Sequence, residues 1–246
     1  MYCRRALCKE GGVRNMVTWR GVLWSVAIGV LLLGGSACRH CPFRSAAAVP
    51  APAPLALPAA KAGVVQYYEQ GQYEREVTKA MAEAMALLPD TAVQDGKRLA
   101  VVLDIDETAL STYEYQKGMG FGHYGKAWHQ WIEMRRATAI APVLAFYQAA
   151  RARGLALFFV TGRREKSRAA TEDNLRQVGY DGWEKLYMKA DDYREPSVQP
   201  FKQRCREEIE AAGYVIWLNI GDQHSDLAGG HARHGIELPN LIYRVE

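Results

Sequence analysis

Six residues of this chain combine a reactive type with a telling position: Asp104, Asp106, Thr161, Lys202, Asp222 and Asp226. Asp104 and Asp106 are two positions apart, and on an extended strand end that spacing turns both side chains the same way. Carboxylates brought together repel unless a cation lies between them or one takes a proton. With Asp222 and Asp226 they make a cluster of oxygen donors. Such a set suits a hard divalent ion, for which magnesium with retained waters is the natural choice. Lys202 falls at the start of an expected helix, and an ammonium at a helix N-terminus makes a good anion site. Aspartates, a divalent metal, a threonine hydroxyl and a lysine point to phosphoryl transfer. In that chemistry cationic groups neutralise phosphate oxygens while a carboxylate attacks phosphorus.

These residues need elements that deliver them to one place. Residues 99–103 and 155–160 are short apolar runs fit for buried strands, as are 214–220 and the briefer 186–188. Between them lie helical patterns: one opened by Pro142 and closed by Gly154, one over 165–178 stopped by Gly179, and one over 201–212 ended by Gly213. Repeated helix–glycine–strand junctions predict an α/β fold, a Rossmann-like parallel sheet with helices on both faces. Ligands bind beyond the carboxyl ends of such strands. That is where Asp104-Ile105-Asp106-Glu107-Thr108, Thr161-Gly162-Arg163 and Gly221-Asp222-Gln223-His224-Ser225-Asp226 fall.

The four stretches, taken in order with Lys202, resemble the motifs of the haloacid dehalogenase superfamily. The pairing of DxDET with GDQxSD is similar to its acid phosphatase branch, the bacterial class C enzymes and the plant acid phosphatases and vegetative storage proteins. The flanks 171–175 (TEDNL), 179–183 (GYDGW) and 238–243 (LPNLIY) agree with the plant type. The resemblance covers roughly residues 64–246. It implies a magnesium-dependent acid phosphatase that hydrolyses phosphomonoesters through an aspartyl-phosphate. Asp104 would be the nucleophile, and Asp106 would protonate the leaving group and then activate water. Thr161 and Lys202 would hold the phosphoryl oxygens. Asp104, the backbone carbonyl of Asp106 and Asp222 would hold the metal, with Asp226 completing the cluster through bound water. Phosphotransfer to an alcohol, or a non-catalytic storage role, are the alternatives within the resemblance.

Residues 111–141 lie between the first two motifs and carry Tyr113, Tyr115, Phe121, Tyr124, Trp128 and Trp131. In the superfamily such an insertion is a small helical cap, and aromatics there can stack flat substrates such as nucleoside monophosphates. Trp128 and Trp131, three apart, read more simply as helix packing. His123, His129 and His224 read as surface or packing residues.

The N-terminal region is different in kind. Five of the 31 basic residues but one of the 27 acidic ones precede Ala37, so the rest of the chain is neutral and nothing favours nucleic acid as a partner. Basic residues, the apolar run 21–33 and the small residues 34–37 read as an export signal over 1–37, with translation starting at Met1 or Met16. Its uncharged run is at the short edge of a membrane span. Cys38 follows directly, so cleavage either leaves a lipidated Cys38 holding the protein to a membrane or is ordinary cleavage after Ala37. Both readings place the protein in a bacterial cell envelope. Residues 38–63, Ala/Pro-rich over 46–62, are expected to form a tether. A helix is expected over 64–88. The lone CxxC of Cys38 and Cys41 is a weak metal or redox signal, and Cys205 reads as a helix packing residue.

Overall fold

The computed structural model describes residues 55–245, and Ala53–Glu246 forms one compact unit. The signal, Cys38, Cys41 and most of the tether lie outside the described residues. In chain order the elements are α1 (Leu57–Glu69), α2 (Gln72–Ala86), β1 (Val93–Gln94), β2 (Lys97–Leu103), β3 (Leu110–Ser111), α3 (Tyr113–Gly118), α4 (Gly125–Glu133) and β4 (Thr138–Ala139). Then follow α5 (Ala141–Ala152), β5 (Ala156–Arg164), α6 (Arg168–Gln177), β6 (Lys185–Lys189), α7 (Gln199–Ala211), β7 (Tyr214–Gly221), α8 (His224–Leu227) and β8 (His234–Glu237).

The sheet runs β6-β5-β2-β7-β8, all parallel, with the short β1 antiparallel beside β2. This is the expected α/β architecture. Alternation along the strands sends side chains to two cores. Leu99, Val101, Leu103, Leu157 and Phe159 face one that also takes Val77 and Met81 of α2 and Val143, Phe146 and Tyr147 of α5. Ala100, Val102, Phe158 and Val160 face the other, beneath Cys205 and Ile209 of α7. Cys205 is therefore a packing residue, as expected. In β7 the alternation breaks: Ile216 lies in the second core but Leu218 in the first. A bulge explains it, because Ala100 pairs with Ile216 while the next residue, Val101, pairs with Leu218. The extra residue flips the faces beyond it.

Two sequence expectations are corrected at the N-terminal side. The helix expected over 64–88 is two helices, broken where Gly71 adopts φ 74°, a left-handed conformation that favours glycine. The first begins at Leu57, inside the stretch expected to be tether. Pro58 is tolerated in a first helical turn, where its missing N–H has no partner to lose, and the alanines after it are strong helix formers. Among the described residues no helix is long and apolar enough to cross a membrane.

The insertion between the first two motifs is a small cap. α3 and α4 rise from the two-stranded ribbon β3–β4, which pairs Leu110 with Ala139 and Ser111 with Thr138.

Candidate active site

The carboxyl ends of β2, β5, β6 and β7 open into a cavity of about 450 Å³ beneath the cap, and Asp104, Asp106, Thr161, Lys202 and Asp222 all line it. Asp104 follows β2 directly, its N–H donating to the Ile220 carbonyl across to β7 (3.0 Å). Lys202 sits in the first turn of α7 and donates from Nζ to Asp104 Oδ1 (2.7 Å) and to Asp226 Oδ1. Asp226 in turn accepts the Gln223 N–H at Oδ2 (2.9 Å), within a capping box that opens α8. Asp222 accepts three donors: Thr108 Oγ1 (3.0 Å), Gln223 Nε2 (2.5 Å) and Asn240 Nδ2 (2.8 Å).

One pairing departs from the spacing argument. β2 ends at Leu103, so Asp104 and Asp106 are not both on extended strand. Asp104 is held by Lys202, whereas Asp106 is gripped by Arg163, Nε at 3.1 and 3.0 Å to its two oxygens and Nη2 at 2.6 Å to Oδ1. The Asp106 side chain thus stands apart from the cluster of carboxylates that could hold a metal, those of Asp104, Asp222 and Asp226. A fork-shaped guanidinium matches a planar carboxylate with parallel hydrogen bonds. Thr161 and Arg163 also lie within β5 rather than after it, with a register shift against β6 between Thr161 and Arg164. The Thr161 hydroxyl accepts the Arg163 N–H (3.2 Å), which leaves its own proton free to donate.

Burial governs the electrostatics. Asp104, Lys202, Asp222 and Asp226 are 7%, 5%, 1% and 3% exposed. Burial drives the Asp104 carboxyl well above its ordinary value; Lys202 pulls it back, and the neighbouring carboxylates push it further. Burial and Asp226 raise Asp222 to about 6. Burial alone would lower Lys202, but Asp104 and Asp226 beside it prevail and hold it above the lysine range.

One ligand oxygen from each of Asp104, Asp222 and Asp226 lies within 4.8 Å of the others. Three carboxylates facing one ammonium leave two negative charges, and the donors are hard oxygens. The residues therefore fit a divalent cation.

Comparison with known proteins gives the family. A family model described as HAD superfamily, subfamily IIIB (Acid phosphatase) matches residues 34–246. The chain belongs to this family. Its members are phosphomonoester hydrolases by description, and the family generally uses a divalent metal. The match starts earlier than residue 64, where the sequence resemblance was read to begin.

Among curated relatives of this acid phosphatase family, the Stem 28 kDa glycoprotein of Glycine max is 35% identical over 151 residues, 59% of each chain. Acid phosphatase 1 of Solanum lycopersicum is 29% identical over 186 residues, 74% of this chain and 73% of that one. Vegetative storage protein 1 of Arabidopsis thaliana is 28% identical over 71% of this chain and 66% of its own length. The match thus takes in little more than half of the soybean protein. The class C acid phosphatase from Bacillus anthracis shares the fold, with a TM-score of 0.63 and 22% identity over 76% of this chain and 85% of that one. These relatives overturn one expectation. Curated relatives come from soybean, tomato and Arabidopsis, which points to a plant protein and not to a bacterial cell envelope.

The site and its surroundings have residues that the sequence reading did not single out. Arg163, read there only as a member of the Thr161-Gly162-Arg163 stretch, also donates to Thr171 Oγ1 (3.2 Å) and lies 5.8 Å from the Trp128 ring. Glu107 is buried and accepts the Thr112 N–H (2.7 Å), the Thr112 hydroxyl (2.5 Å) and the Tyr243 hydroxyl (2.6 Å). Burial first, and Asp106 second, push it up to about 8 against those donors. Burial and Glu107 likewise raise Tyr243 well above the tyrosine range. The motif strings DxDET and LPNLIY contain Glu107, Asn240 and Tyr243, so the signal was present without its meaning. The cap aromatics divide. Phe121 and Trp128 line the cavity. Tyr115 and Trp131 pack on Trp128 at 5.2 and 5.4 Å, Tyr113 stacks on Tyr68 at 4.4 Å, and Tyr124 is exposed. His123 lines the cavity, His129 Nδ1 meets Ser167 Oγ (3.0 Å), and His224 is exposed.

Proposed function

We propose that the protein is a magnesium-dependent acid phosphatase that hydrolyses small phosphomonoesters, nucleoside monophosphates among them, through an aspartyl-phosphate on Asp104. The observation that carries this reading is the bridge of Lys202 to both Asp104 and Asp226 in a buried pocket beside Asp222. Asp104, the backbone carbonyl of Asp106 and Asp222 would hold the magnesium, with Asp226 behind them; when bound, the ion supplies positive charge opposite the phosphoryl oxygens.

The chain's own residues supply the rest. Asp104 offers Oδ2, which accepts no hydrogen bond among the described residues, to attack phosphorus. As the O–P bond forms, the ester P–O bond breaks and Asp106 gives its proton to the departing alkoxide. Asp106 then takes a proton from water as that water displaces Asp104, releasing inorganic phosphate. Arg163 holds Asp106 at the cavity wall between these roles, while Thr161 and Lys202 hold the phosphoryl oxygens. An acid optimum suits a carboxyl that must enter protonated. We further infer that residues 1–37 form a removable export leader and that the stretch up to α1 is a tether. The mass of the mature N-terminus reads out cleavage.

Replacement of Asp104 by Asn is expected to abolish turnover of 4-nitrophenyl phosphate, and chelation of divalent ions to silence the wild type. Residual wild-type rates in the variant would remove Asp104 as nucleophile. The storage-protein names among the relatives favour one second reading, a protein without activity. An inactive wild type with magnesium across the acid pH range would establish it.

A further inference from the structure

Every carboxylate lining the cavity already has a committed partner. Asp104 is on Lys202, Asp106 is on Arg163, and Asp222 accepts from Thr108, Gln223 and Asn240. Three of the four Lys or Arg side chains lining it are likewise spoken for: Lys202, Arg163, and Arg244, whose guanidinium reaches Glu237 at 3.4 Å. The fourth is Lys189. It ends β6, pairs in register with Arg164 just past the Thr161 shift, and lines the same cavity as Thr161 and Lys202. Among the described residues the Lys189 side chain forms no ion pair and donates no hydrogen bond. Its ammonium lies 5.2 Å from the Tyr193 ring centre, which fixes its direction without neutralising it.

From this placement we propose that Lys189 binds a second anionic group on the substrate, so that the enzyme prefers phosphomonoesters carrying another phosphate or a carboxylate on the leaving group. The reasoning is one of charge balance. The phosphoryl group to be transferred already has Lys202, Thr161 and the metal site. A further partly buried cation without a counterion is costly to keep unless a ligand supplies the anion. Burial, with the positive charges of Arg164 and Lys202, holds the Lys189 ammonium below its ordinary lysine value, and an anion beside it would relieve that strain. The cavity is large enough for such a group, at about 450 Å³. Phe121, Trp128 and Ile242 line it as well and offer apolar surface to the body of such a substrate.

The inference rests on the phosphatase reading for the place of the first phosphate, and the test separates the two. Matched pairs differ by one anionic group: glycerol 3-phosphate against 3-phosphoglycerate, and adenosine 5′-monophosphate against adenosine 3′,5′-bisphosphate. Binding is measured by calorimetry on the Asp104→Asn protein and turnover on the wild type, each with and without Lys189→Met and Lys189→Arg. The doubly charged member of at least one pair should bind about tenfold tighter. Lys189→Met should erase that preference while changing the singly charged member less than about twofold, and Lys189→Arg should retain it. Equal losses on both members, or no preference in the parent, overturn the role of Lys189. Preferential binding without hydrolysis of any ester would leave Lys189 standing and sink the phosphatase reading instead.

Discussion

Glu107 lies behind the two motif aspartates with three donors aimed at its carboxylate, in a place too buried for charge to be cheap. Burial and Asp106 raise its carboxyl from 4.5 to about 8. The folded protein therefore keeps a proton that the unfolded chain releases between those values. Stability from this group is full below about 4.5 and is lost as pH rises through about 8. Asp222, raised to about 6, acts with the same sign in the lower part of that window. The metal-free wild type should thus unfold at lower urea at pH 8 than at pH 5, with a slope of up to about 1.4 kcal/mol per pH unit from each group. Glu107→Gln should flatten the upper part of the curve. Identical flat profiles for both proteins would mean that the three donors outweigh burial. The position of Glu107 next to Asp106 was plain in the sequence. Its partner Tyr243 was not, because 136 residues separate them and no local period links such positions.

At the scale of elements, the turn from β7 into α8 sets the carboxylate cluster. Gly221 ends β7, and a Cβ added there would fall inside the Asp226 carboxylate, the group that bonds Lys202. Asp226 is locked from the other side by the Gln223 N–H (2.9 Å), so it has nowhere to retreat. Gly221→Ala is expected to lower kcat by at least about a hundredfold through displacement of Asp226 and Lys202, a misplacement of the kind that costs such factors. The variant should remain folded by circular dichroism; unchanged kcat would show that Asp226 can move without consequence. The glycine was legible as part of a strand-end motif, but the need for an absent side chain appears only when α8 folds back onto β7. Strand positions were read closely, since unbroken apolar runs of β-formers have few other uses. The N-terminal helix pair was read as one helix because Gly71 interrupts an otherwise continuous pattern by a single left-handed residue. The hydrophobic period does not report backbone handedness.

For the molecule as a whole, Ala53–Glu246 is one compact unit containing the entire cavity. α2 belongs to its core through Val77, Met81 and Ala84, and α1 packs on α2 and the cap through Tyr68, which stacks on Tyr73 (4.3 Å) and Tyr113 (4.4 Å). A chain beginning at Ala53 should therefore fold cooperatively and keep kcat/KM within about twofold of the full chain, since no group of the site is removed. One beginning after α1 should lose thermal stability, because the aromatic stack is cut; aromatic pairs add about 0.5–1.5 kcal/mol each beyond area burial. A chain from Ala53 that failed to fold would show that the preceding residues belong to the domain.

The alternation of four core strands with helices, the four motifs and the parallel sheet were legible in the sequence alone, because burial patterns and strand-end polar residues are local properties of a chain; the edge strand β8 and the split of the first helix were not. The tertiary structure decided which charge meets which. Asp106 went to Arg163 and not to the cluster of Asp104, Asp222 and Asp226, Lys202 bridged Asp104 and Asp226, and among the described residues Lys189 was left without a counterion. Ion pairs in a buried cavity are settled by distance, orientation and loss of water between groups far apart in the chain, and spacing along the sequence carries no record of those quantities.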